Sequence, residues 1–191
     1  MRIKLKYKTP PGWAENVVAE MDRFLPDHAA AEKKASSMAM TMVSHYPDKP
    51  ELVTAMIDLA IEELSHYRAV VKLMQDRGLC LLPDEKDPYV NQLRRTFRDG
   101  KDHYFMDRLL IAGIVEARGA ERFGLVGEAL PAGKLQQFYR SIALSEEGHE
   151  ALFIDLANLY FDPSETGLRL DELLNVEAQI MEALPLRPAL H

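Results

Sequence analysis

Cysteine is nearly absent from this sequence: Cys80 is the single one among 191 residues. An internal disulfide is excluded, and one cysteine suits a reducing compartment. Long apolar runs are missing as well. The longest in the middle of the chain, "LLIAGIV" at Leu109 to Val115, falls far short of the roughly 20 residues a bilayer span needs. The N-terminus, "MRIKLKYKTPPGW", is basic but lacks the apolar core of a signal peptide. The expectation is a cytoplasmic protein with no membrane partner. Strand-like alternation is confined to "RIKLKYK", where Ile3, Leu5 and Tyr7 separate basic residues; it reads as an edge arm or a disordered segment. Positive charge is in deficit, with a net charge of -7. That argues against a surface devoted throughout to nucleic acid and leaves room for a local basic patch.

What is present is helical periodicity. With 47% hydrophobic and 28% charged residues, the chain is long enough for one domain with a real core, spanning 1–191 with its main helices at about 27–160. A short helix is expected over Trp13 to Leu25, ending at Pro26, and a second from the N-cap Asp27 to "YPDKP". Pro50 is placed to open a third, which runs to "DRG" with Gly78 as its stop. A long connection follows, containing "LCLLPDEKDP" and a basic helix "YVNQLRRTFRDGK". A fourth main helix covers Asp102 to Ala129, "PAG" is the turn, and a fifth covers Lys134 to Tyr160. A last amphipathic segment spans Leu168 to Leu184. Four long helices, paired by two short turns and joined by one long crossover, describe an all-α, ferritin-like four-helix bundle with extra short helices.

The chain carries an internal repeat. Glu63 stands three residues ahead of His66, and 83 residues later Glu146 stands three ahead of His149. Each pair has a glutamate about thirty residues upstream on the preceding long helix: Glu32 for the first, Glu116 for the second. Glu62 and Glu147 are rival partners for the two histidines, and only the offset of three is common to both halves. Helical phase separates them, because residues three and four apart share a face. Glu63 lies with Met56, Leu59, Ala60, Tyr67 and Val70, and Glu146 with Tyr139, Ile142, Ala143 and Phe153, whereas Glu147 lies with Arg140 and Glu150. Glu116 and Glu32 sit on apolar stripes too.

Four inward carboxylates without a lysine or arginine on their faces demand positive charge, since each unpaired one costs several kcal/mol to bury. Two divalent cations would balance them, with two neutral imidazoles completing the set. Mixed carboxylate and imidazole ligands suit iron or manganese better than the closed thiolate-rich sites of zinc, and two Glu plus two Glu-x-x-His is the di-iron arrangement of helical bundles. The expected metal ligands are Glu32, Glu63, His66, Glu116, Glu146 and His149. Glu62 is a candidate to take the ring proton of the opposite histidine. His28, His45 and His103 lack such a constellation and read as surface or capping residues. Met38, Met40 and Met42, spaced two apart, read as ordinary packing.

The strings "DHAAAEKKASS", "YPDKPELV", "EELSHY", "LLIAGIVEARGAERF" and "LQQFYRSIALSEEGHEALF" together resemble the MiaE family of tRNA hydroxylases, non-haem di-iron monooxygenases. The similarity covers most of Asp27 to Tyr160. Its specificity lies in "EKKA" and "EARGAERF", since other ferritin-like oxidases share only the ligand pattern. The resemblance implies hydroxylation of the isopentenyl group of 2-methylthio-N6-isopentenyl adenosine, the base next to the anticodon. It further implies two iron ions, dioxygen as co-substrate, and two electrons from an external donor, a reductase or ferredoxin-type protein. Its metal ligands fall on the same six residues. With the tRNA anticodon loop as partner, the candidate phosphate contacts are Arg94, Arg95, Arg98 and Lys101 in the crossover, and Lys33, Lys34, Arg118 and Arg122 near the ligands. Lys33, Lys34 and Arg118 are expected to project toward the surface. Other readings are a ferroxidase or iron-storage protein, which would be expected to form a cage or carry a cysteine set, a quinone hydroxylase, which would need an apolar membrane-facing surface, and a purely structural bundle, which leaves the inward glutamates unexplained.

Overall fold

The structure, a computed structural model, describes residues 2–191 and contains, among them, seven α-helices and no strand. These are α1 (Trp13–Ala19), α2 (Met21–His45), α3 (Pro50–Asp76), α4 (Pro88–Arg94), α5 (Lys101–Ala129), α6 (Lys134–Tyr160) and α7 (Pro163–Ala183). They fall into two compact units. One comprises Asn16–Glu85 with Pro188–Leu190; the other comprises Lys86–Arg187, the chain up to Glu15, and His191.

In the first unit α2 packs against α3. Pro50 opens α3 at the one helical position where a missing N–H costs nothing. Gly78, at φ +72, follows its end, in the left-handed region where a side chain would be strained. Between them Leu52, Met56, Leu59, Ala60, Glu63, Val70 and Met74 are buried at helical spacing. On α2 the buried set includes Phe24, Leu25, His28, Ala29, Glu32, Ala39 and Met42. Each large apolar side chain so buried contributes about 1.5–3 kcal/mol. Ser36 Oγ donates to the Ala60 carbonyl across the pair at 2.9 Å.

In the second unit α5 packs against α6, and α4 and α7 pack on that pair. The segment "RIKLKYK" is an extended arm anchored along this unit. Ile3 N donates to the Glu150 carboxylate, Lys6 Nζ to Asn175 Oδ1 at 2.8 Å, and Thr9 Oγ1 to Glu121 at 2.7 Å. Gly113 of α5 permits the close approach: a Cβ there would stand 3.4 Å from both Ile3 Cδ1 and Phe153 Cβ.

Three element boundaries depart from the sequence expectation. Pro26 does not end a helix but lies inside α2, and the break comes at Glu20 instead. A proline this close to the N-terminus forgoes a single bond, to the carbonyl of Asp22, an exposed residue. Asp27 is accordingly no N-cap, and its carboxylate takes the Leu190 N–H at 2.7 Å. The basic helix stops at Arg94, so Arg98 and Lys101 are not on it; Gly100, at φ +94, turns the chain into α5. The last helix starts at Pro163 rather than Leu168, because Asp162 caps it by accepting from Ser164 N and Glu165 N.

Candidate metal centre

Each unit holds one buried trio of a lone glutamate and a Glu-x-x-His. In the first, Glu32 comes from α2, and Glu63 and His66 from α3. Helical phase turns Glu32 and Glu63 inward, and they are 3% and 1% exposed. His66 Nδ1 stands 3.6 Å from Glu32 Oε2 and 3.8 Å from Glu63 Oε2. In the second, Glu116 comes from α5, and Glu146 and His149 from α6. There His149 Nδ1 stands 3.4 Å from Glu146 Oε2 and 4.0 Å from Glu116 Oε2. Within either trio, one ligand atom from each residue lies within 4.8 Å of the other two.

These distances fit a shared cation. Oxygen and nitrogen donors bound at about 2.0–2.2 Å to one ion stand roughly 3–4 Å from each other, depending on the angle between them. The electrostatics point the same way. Burial works against a charged imidazole at His66, but the Glu32 and Glu63 carboxylates outweigh it and raise its pKa to about 10. A site that draws a proton onto imidazole this strongly is one that a divalent ion occupies by displacing that proton. The donors are hard carboxylate oxygens with one neutral imidazole each, which suits iron or manganese.

Of the rival glutamates, Glu62 and Glu147 lie toward solvent, with side chains 51% and 38% exposed. Glu147 pairs with Arg2. Glu62 approaches Nε2 of His66, one turn along its own helix, at 3.9 Å. Its histidine is thus the one beside it, not the opposite one, because the offset of four brings the two side chains together.

His28 was expected at the surface or as a cap, yet it is fully buried. Its Nε2 lies 2.6 Å from Glu32 Oε1. The sign in the sequence was the offset of four from Glu32 on the stripe of Leu25 and Ala29.

The eight basic candidates divide three ways. Arg94, Arg95 and Lys101 are exposed and make no ion pair among the described residues. Lys33, Lys34 and Arg98 are spent on the chain's own crossover. Lys33 Nζ donates to both Asp84 oxygens at 2.8 Å, Lys34 Nζ to the Glu85 carbonyl at 2.7 Å, and Arg98 to buried Asp107, which Arg169 also holds. Arg118 and Arg122 are 0% and 3% exposed, and the expectation that they form a basic rim is wrong. Two positions past Glu116 does turn Arg118 away from the ligand. That face of α5, however, is covered by the arm and α7. Arg118 Nε donates to Glu177 Oε1 at 2.9 Å and Nη2 to the Tyr7 carbonyl at 2.9 Å; Glu121 holds Nη1. Arg122 lies over the Trp13 ring at 4.6 Å, and burial together with Arg118 lowers its pKa to about 10.

The model of one protein family, tRNA-(MS[2]IO[6]A)-hydroxylase (MiaE), matches residues 2–191. A Pseudomonas putida protein, tRNA 2-(methylsulfanyl)-N(6)-isopentenyladenosine(37) hydroxylase, is 31% identical over 92% of this chain and 85% of its own length. The protein of the same name from Salmonella typhimurium is 30% identical over 69% of this chain and 48% of its own. Among solved structures, a Synechococcus protein with aldehyde deformylating oxygenase activity superposes with a TM-score of 0.91 at 33% identity, over 97% of this chain and 93% of that one. The helical order is that of the ferritin-like class. Two buried Glu and Glu-x-x-His trios, and a family match that runs the length of the described chain, place this protein in the MiaE family of tRNA hydroxylases.

Proposed function

We propose that this chain hydroxylates the isopentenyl group of 2-methylthio-N6-isopentenyl adenosine in tRNA as a cytoplasmic, single-domain di-iron monooxygenase. Each trio would hold one iron: Glu32, Glu63 and His66 the first, Glu116, Glu146 and His149 the second. The observation that carries this reading is the coincidence of a full-length family match with two buried carboxylate and imidazole trios. Bound iron supplies the redox chemistry that activates dioxygen and places one of its atoms in a C–H bond, with two electrons delivered by a reductase or ferredoxin-type partner. The chain supplies position and exclusion of water. Nδ1 of each histidine faces its carboxylates, fixing which ring nitrogen must lose its proton on metal binding. Leu59 and Ala60 around the first trio, and Ile142, Ala143 and Phe153 around the second, are buried and keep bulk solvent from the donors. No side chain is required as a nucleophile. The exposed Arg94, Arg95 and Lys101 are available for phosphates of the anticodon arm.

The test uses anaerobically reconstituted protein, a chemical reductant, and an anticodon stem-loop bearing the modified base. Two irons per chain and one oxygen atom added to the prenyl chain are expected, labelled by 18O2 and not by H218O. Turnover of an aliphatic aldehyde, with the stem-loop untouched, would instead move the chain to the activity named for its Synechococcus relative. Changing Arg94 and Arg95 together to Glu should weaken stem-loop binding and flatten its salt dependence while iron content stays at two per chain; undiminished binding would remove these residues from the tRNA surface.

A further inference from the structure

We propose that His28 is a positioning residue that makes the two metal positions unequal, by tying up one oxygen of Glu32 so that this glutamate offers a metal ion only the other; the inference rests on the reading that each trio holds iron. His28 lies one turn before Glu32 on α2, fully buried, with Nε2 2.6 Å from Glu32 Oε1. The second oxygen, Oε2, is the one that faces His66 Nδ1 at 3.6 Å. Division of labour within the carboxylate is therefore already present: one oxygen to the supporting imidazole, the other to the ligand set. The support is rigid. Both residues sit within an uninterrupted helix, and the imidazole packs beside Phe24, with ring centroids 6.0 Å apart.

The repeat shows what is special about this contact. Four residues before Glu116, where the second half should carry its own counterpart of His28, the chain has Ala112. A methyl group donates no hydrogen bond, so nothing at that position restrains either oxygen of Glu116. A carboxylate with one oxygen held by an imidazole binds a metal through the remaining oxygen, whereas one without that restraint can close on the ion with both. The iron held with Glu32 thereby keeps one more coordination position for a ligand that is not protein than the iron held with Glu116. The duplicated ligand pattern conceals this difference, because it lies in the residue behind the ligand and not in the ligand.

The experiment compares the wild type with His28→Phe, which keeps a ring and removes the donor, and His28→Gln, which restores one. Protein loaded anaerobically with 57Fe(II) is read by Mössbauer spectroscopy, and affinity by Fe(II) titration. Wild type should show two quadrupole doublets of equal area. In His28→Phe the doublets should converge, and the affinity of one of the two irons should fall about 10–100-fold, the range for loss of a residue that orients a metal ligand. His28→Gln should restore most of the splitting. If His28→Phe does not fold, His28→Ala is measured in its place against the same expectations. Two irons bound with spectra and affinities indistinguishable from wild type would overturn the role of His28 alone. A wild-type chain that binds fewer than two irons would overturn the trios themselves, and the inference with them.

Discussion

The two helix pairs carry one ligand pattern in opposite surroundings. On α3 the side away from α2 leaves Ile57, Ile61 and Leu64 40%, 62% and 55% exposed. On α5 no residue from Phe105 to Gly127 is exposed, because α6, α7, α4 and the N-terminal arm cover it among them. Lys34 and Arg118 make the contrast specific, since each stands two positions past the lone glutamate of its half. Lys34 is exposed and reaches a loop carbonyl, whereas Arg118 is sealed against Glu177. Helical phase decides which way a residue points, and the covering elements decide whether that direction is solvent.

The largest effect should come from breaking the part the halves share. Glu63→Ala and Glu146→Ala should each reduce hydroxylation to background and lower iron below two per chain, while Glu62→Ala and Glu147→Ala keep the metal and most of the activity. An inactive Glu147→Ala beside an active Glu146→Ala would mean that the inward register of α6 is misread. The next effect sharpens what the halves do not share. Arg118→Ala leaves the Glu177 carboxylate without its main cation and should cost about 3–5 kcal/mol in urea unfolding, whereas Lys34→Ala should stay within about 0.5 kcal/mol. Arg118→Met combined with Glu177→Leu should recover most of that loss, because an apolar pair of similar volume replaces a buried ion pair.

A smaller effect tests the start of α4, which has no counterpart in the first half. Asp87 Oδ1 accepts the Tyr89 and Val90 amides, and Oδ2 meets His191 Nδ1 at 2.8 Å. Burial pushes the carboxyl upward, yet His191 and the two amides prevail and hold it at about 2. The folded pKa is depressed below the ordinary 3.8, so this contribution is complete above about pH 4 and disappears as pH falls toward 2. Asp87→Ala should cost about 1 kcal/mol at neutral pH, the usual value of a helix cap. The loss relative to wild type should shrink between pH 4 and 2 in thermal melts; a constant difference would show that the carboxylate charge is not involved.

Much of this was legible in the chain. The limits of α3, α5 and α6 follow from Pro50, Gly78, Gly133 and an apolar stripe that needs no knowledge of tertiary structure. The ligand trios were legible because duplication at fixed spacing on an inward face is a pattern in one dimension. Pro26 misled because its local rule, that proline ends helices, is weak within the first turns, where few carbonyls await a partner. The start of α7 was available in "DPSE" as an N-cap followed by proline, and was missed in favour of the apolar stripe further on. Arg118 and Arg122 were illegible for a different reason: their cover comes from Tyr7, Thr9, Trp13 and Glu177, and no local pattern announces that a segment more than a hundred residues away will lie there. His28 falls between these cases, its offset visible and its burial not.

The anchored arm also sets an order of events during synthesis. The partners of Ile3, Thr9 and Trp13 are Glu150, Glu121 and Arg187, separated from them by 147, 112 and 174 residues. When the arm leaves the ribosome, nothing it will bind has yet been made. The α2 and α3 pair, whose contacts are local, can close early, while the arm must wait for α7 and the C-terminal tail to be translated. Contacts of such long range form late and slowly, so during that interval the α5 surface around Gly113 and Arg118 stays open, and it is there that a chaperone would find its opportunity.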